Sequence, residues 1–135
     1  MRFISSRFTN FRNLDSFQLR FSDDPKKPLT IIRGEPESGK TTLFYAIQWV
    51  ILGIGGLKTD GQEIHHYDEA DPSLFAHDVT VEGELIVRDT VLLNNESTKS
   101  TEYIIRRSQT VNLDPKNSSK PWSFGEETLN INERT

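Results

Sequence analysis

The run Gly34-Glu35-Pro36-Glu37-Ser38-Gly39-Lys40-Thr41 carries the most pointed chemistry in this chain. It satisfies the spacing G-x-x-x-x-G-K-[ST] in full. Glycines let a backbone wrap closely round a polyphosphate, so that successive N–H groups point inward at the anion. Lys40 adds a full positive charge placed to reach β- and γ-phosphates, and the hydroxyl of Thr41 can ligate Mg²⁺. A helix beginning here would add the partial positive charge of its N-terminus. The expected binding residues are Gly34, Glu35, Pro36, Glu37, Ser38, Gly39, Lys40, Thr41 and the adjoining Thr42, with Thr41 as the metal ligand. Pro36 removes one N–H from the loop, and the carboxylates of Glu35 and Glu37 are expected to point out to solvent. A purine nucleotide is the expected ligand.

Such a loop needs a strand to enter it and a helix to leave it. Leu29-Thr30-Ile31-Ile32 is a short apolar run suited to a strand buried on both faces. From Thr41 to Leu52, Leu43, Ala46, Ile47 and Val50 fall at helical spacing, and Phe44, Trp49, Ile51 and Leu52 make other faces apolar too. That composition predicts a helix buried on more than one side, stopped by Gly53, Gly55 and Gly56. Upstream, Phe3 to Phe11 and then Phe17, Leu19 and Phe21 alternate with polar residues as half-buried strands do, with a turn from Asn10 to Asp15. Downstream, Val79, Val81, Leu85 and Val87 alternate around Gly83, which marks a bulge or a close approach. Val91 to Leu93 and Tyr103 to Arg107 flank a turn-rich stretch and predict a β-hairpin. Trp122, Phe124, Leu129 and Ile131 suffice for a weak further strand.

The fold class expected is α/β: a mainly antiparallel β-layer and a strand carrying the loop, packed on one buried helix. One domain over residues 1–135 would comprise a β-pair and loop strand (1–33), the loop and helix (34–53), a polar insertion (54–77), β-hairpins (78–113) and a weakly structured tail (114–135).

Other residues read more plainly. Leu85-Ile86-Val87-Arg88-Asp89 is the nearest approach to an acid-ending, Mg²⁺-holding strand, but ordinary strand alternation already explains it. His65-His66 with Asp68, Glu69 and Asp71 lacks a third ligand of firm spacing and reads as a solvated acidic loop. Trp49 and Trp122 read as core, and Gln109 as a solvated strand-end residue.

Composition bounds the rest. The 135 residues contain no cysteine, which excludes a disulfide framework and thiolate metal sites, and 34% are hydrophobic, enough for a lean core. No apolar run reaches membrane-spanning length and none at the N-terminus resembles a signal peptide, so a cytoplasmic protein without membrane contact is expected. The net charge of −4 is uneven: residues 1–33 hold seven bases against three acids. That basic edge could face phosphates or simply be solvated.

With the β-pair, loop and helix in place, the sequence resembles the N-terminal lobe of SMC-type ABC ATPases of the SbcC, RecF and DndD kinds. The resemblance rests on Phe8-Thr9-Asn10-Phe11-Arg12, on Phe17 to Phe21, on Leu29 to Gly34 ahead of the loop, and on Glu102-Tyr103-Ile104-Ile105-Arg106-Arg107. It implies that Gly34, Gly39, Lys40 and Thr41 bind ATP and Mg²⁺ and that Asn10 and Arg12 lie near the nucleotide. It also implies a C-terminal ATPase lobe or partner subunit, which would supply the missing acid-ending strand and signature motif, a nucleotide-dependent dimer, and DNA as a partner of the assembled protein in processing, repair or defence. Catalytic residues are not assigned, and ATP hydrolysis is expected only from the completed assembly. Two other readings stand beside it: a non-hydrolysing nucleotide-binding regulatory or assembly module, and a self-contained small P-loop kinase or GTPase.

Overall fold

A computed structural model describes residues 1–34, 40–57, 63–65, 78–113 and 122–134. Strand β1 (Arg2–Phe11) turns through Arg12 and Asn13 into β2 (Leu14–Arg20). Helix α1 (Lys40–Leu52) and a single 3-10 turn (Ile54–Leu57) follow. Strands β3 (Val79–Leu92), β4 (Thr98–Leu113) and β5 (Trp122–Arg134) complete the described elements. The sheet has the order β2-β1-β3-β4-β5, with every neighbouring pair antiparallel.

Alternation along the strands sorts the sheet into one dry and one wet face. Phe8, Val81, Leu85, Val87 and Val111 point to the dry face and meet Leu43, Ala46, Trp49 and Val50 of α1. Each such side chain taken wholly from water contributes about 1.5–3 kcal/mol, so this contact dominates the fold. On the wet face the carboxylate of Glu84 accepts from Arg7 at 3.1 Å and from Arg106 at 2.7 Å. Burial works to raise the carboxyl of Glu84, but the hydrogen bonds and charges of Arg106 and Arg7 outweigh it and hold the group below its ordinary value.

Two backbone features let helix and sheet meet. A Cβ on Gly83 would stand 2.3 Å from Val50 Cγ2 and 3.0 Å from Trp49, so glycine is required where α1 crosses β3. Asn10 takes a left-handed conformation (φ 61°), which breaks the alternation of β1 and lets Phe11 join Phe8 in the core. Phe11 then packs on Trp49, with ring centroids 5.5 Å apart. The far end of α1 closes at Gly53, whose φ of 72° carries its N–H to the carbonyl of Trp49 at 2.7 Å. Arg107, buried on β4, donates to the carbonyl of Val50 at 3.0 Å and pairs with Glu127. One of the carbonyls orphaned at the helix end is thereby satisfied.

Several expectations need correction. Leu29 to Ile32 form no strand: the segment is irregular, with Leu29, Ile31 and Ile32 exposed at 73, 65 and 44%. Its apolar, β-branched composition favours a buried strand, but among the described residues no neighbour pairs with it. For the same reason α1 is buried on one side only, and Phe44, Ile51 and Leu52 are exposed. The first turn takes two residues where six were expected. The tail contains a full 13-residue strand, β5, paired along β4. Gln109 lies buried in mid-strand and donates to the carbonyls of Thr110 and Gly125, both at 3.0 Å. His65 is likewise buried, bridged to Phe11 and packed edge-on against Trp122. His66, Asp68, Glu69 and Asp71 lie outside the described residues.

Candidate functional site

Lys40 opens α1, and its ammonium donates to the carbonyl of Gly34 at 2.5 Å. The two described ends of the glycine loop are thus drawn together at the positive end of a helix. Glu35, Pro36, Glu37, Ser38 and Gly39 lie outside the described residues. Lys40 and Thr41 are exposed and Thr42 half-buried. The hydroxyl of Thr41, in the first helical turn, is the one Mg²⁺ ligand type that the motif requires. Lys40 and Thr41, at the head of α1, are the described side chains whose chemistry suits a magnesium–triphosphate ligand.

Arg12 reaches the same helix from the β1–β2 turn. Its guanidinium carbon lies 5.6 Å from the ring centroid of Tyr45 and 5.5 Å from that of Phe11, within cation–π range. Tyr45 follows Thr41 by four residues, so Arg12 stands over the helix face that Thr41 shares. Its pose is set by segment 63–65: the Arg12 N–H donates to Ile64 O and its Nε to Glu63 O, both at 2.8 Å. Arg12 itself is held at φ 50°, a strained backbone for a residue with a Cβ. Burial raises the carboxyl of Glu63, against the lowering charge of Arg12, and Glu63 lies 3.7 Å from His65. Asn10 is engaged elsewhere, donating to Thr80 O on β3 at 3.1 Å.

A family model described as AAA domain matches residues 7–135. The chain belongs to this family. Its function is accordingly of the nucleotide-binding, ATPase type. No curated protein matches the chain.

Within this AAA domain the sequence missed Tyr45 and the Glu63–His65 segment, which together fix Arg12. No local signal marks them, because the link between residue 12 and residues 63–65 exists only once β1 has folded. The acid-ending strand candidate is an ordinary part of β3: Arg88 pairs with Asp23 at 2.5 Å and Glu102 at 2.8 Å, and Asp89 lies 3.9 Å from the terminal amine. Among the described residues no three His, Cys, Asp or Glu side chains cluster as a metal site. None of their helices is long and apolar enough to cross a membrane.

Proposed function

We propose that this AAA domain is the ATP-binding N-terminal part of an SMC-like ATPase that acts on DNA in processing, repair or defence. The observation that supports it most is the ammonium of Lys40 on the Gly34 carbonyl at the head of α1. In this reading Gly34 to Thr42 cradle the triphosphate, Thr41 holds Mg²⁺, and Arg12 flanks the nucleotide. The metal would draw charge from the β- and γ-phosphates.

Hydrolysis needs an acid-ending strand and a signature motif from a C-terminal lobe or partner subunit. The exposed apolar residues Leu29, Ile31, Ile32, Phe44, Ile51 and Leu52 support that reading, since a surface of this kind marks a contact not yet made. Nucleotide would then join two such assemblies. DNA contact belongs to the assembly and not to this chain alone, because Arg7 is spent on Glu84 and Arg2 on the carbonyls of Ser22 and Asp24. The wholly antiparallel pairing of the described strands disfavours a self-contained kinase or GTPase, which would alternate strand and helix.

Calorimetry tests the core of the proposal. Mg·ATP is expected to bind weakly, Lys40→Ala to abolish binding, and the isolated chain to turn over negligibly. Equal affinity for both proteins, or steady turnover lost in Lys40→Ala, would overturn it.

A further inference from the structure

The two edges of the sheet are unlike. Strand β2 is seven residues long and ends in Arg20, a short and charged edge of the kind that discourages pairing. Strand β5 is 13 residues long, and among the described residues nothing pairs with its outer side. From Thr128 to Asn132 it reads Thr-Leu-Asn-Ile-Asn, with neither charge nor proline to block an incoming strand. Leu129 and Ile131, on the face that bears α1, are exposed at 45 and 60%. An edge with free backbone groups and apolar side chains is a template for another strand.

We propose that two copies of this chain pair edge to edge through β5, antiparallel about a two-fold axis at Asn130. The strand is complementary to itself in that register. Leu129 falls opposite the partner's Ile131, and the same pair recurs across the axis. Glu126, beside the bulge that β5 carries between Phe124 and Glu127, comes within reach of the partner's Arg134, giving two ion pairs per dimer. Thr128 meets the partner's Asn132. The like-charge meeting, Glu127 with the partner's Glu133, also occurs twice and is relieved because Glu127 is already paired with Arg107. Arg134 is free to lean either way: it lies 3.7 Å from Glu102, and its side chain is 51% exposed. Moving the axis to Leu129 or Ile131 carries Arg134 past the bulge or onto Thr128 and loses both ion pairs. The register also keeps both copies of α1 on one side of a continuous sheet, since cross-strand partners share a face. The pairing needs no nucleotide, and it stands apart from the ATP-driven closure proposed above.

Sedimentation of the 135-residue chain without nucleotide, over a wide range of concentration, tests this. The mass is expected to rise from one chain to two. Glu126→Arg alone and Arg134→Glu alone each place like charges at both meetings and are expected to weaken the dimer about tenfold. Mixed together, those two variants are expected to pair with each other about as well as the original chain does with itself, because each now meets its opposite. All the substituted side chains are exposed, and circular dichroism checks that both variants stay folded. A constant monomer mass overturns the proposal. So does a dimer indifferent to either charge reversal, or a mixture no better paired than its components.

Discussion

Toward the sheet, α1 presents Leu43, Ala46, Trp49 and Val50, none more than 4% exposed; on its other side Phe44, Ile51 and Leu52 stand at 64, 41 and 60%. The first set sits in a mould that reaches down to a missing Cβ at Gly83. The second, like Leu29, Ile31 and Ile32, is apolar and exposed, with no cover from the described chain. The helix that begins with Lys40 is therefore anchored from one side and unfinished on the other. In the proposed reading, such a domain holds its shape from the sheet side and leaves its second layer to the C-terminal lobe or partner subunit.

Substitutions on the two sides should separate accordingly. Trp49→Ala removes the largest fully buried side chain and should cost about 3–5 kcal/mol in urea unfolding. A loss under about 1 kcal/mol would mean that the sheet side is as loosely made as the outer side. Gly83→Ala comes next, at about 1–3 kcal/mol, because Val50 must move to admit the new methyl group. Thermal melting would check it, and an unchanged midpoint would show that α1 shifts freely over β3.

The wet face gives a smaller effect that depends on pH. Because Arg106 and Arg7 hold the Glu84 carboxyl below its ordinary 4.5, its contribution is complete above that pH and is lost as pH falls through the lower folded value. Glu84→Gln should thus be less stable than the original chain at neutral pH, with the gap closing in acid. The two arginine side chains are 59 and 55% exposed, so the gap should stay below about 1 kcal/mol. A gap that widens below pH 4.5 would contradict the assignment. Smallest of all, Phe44→Ser and Ile31→Ser should change the stability of the isolated chain by no more than about 0.5 kcal/mol, since both residues are already wet. Unfolding of either variant would erase the contrast between the two sides.

The sequence made the local features plain. The β1–β2 and β3–β4 hairpins, the helix, its stop at Gly53 and the close approach at Gly83 all follow from period, turn chemistry or the lack of a side chain. What it hid depends on distant partners. Leu29 to Ile32 have strand composition, but a strand exists only where a neighbour accepts its hydrogen bonds. His65 stands among acids and reads as solvated, yet a bridge to Phe11 carries it into the core. Gln109 reads as an end because polar residues surround it, and its amide is satisfied only by the carbonyls of β5. Strand β5 itself reads weakly because an edge strand exposed along most of its length needs no strong alternation. Of the candidate site, Lys40 and Thr41 were legible from spacing alone. The pose of Arg12 was not, since residues 63–65 determine it.

Strand β1 has two partners at very different distances along the chain: β2, two residues away, and β3, whose first residue is Val79. The β1–β2 and β3–β4 ladders close short loops and should form early, whereas joining β1 to β3 must first gather the glycine loop and all of α1 into one long closure. That step should set the folding rate. Once made, it also sews together segments on either side of residues 66–77, so a chain cut there should remain one particle, its halves held by the Arg2–Thr9 ladder with β3. Two separately made pieces, 1–65 and 78–135, should find each other in solution and restore the sheet, which makes this fold a candidate for assembly from two polypeptides.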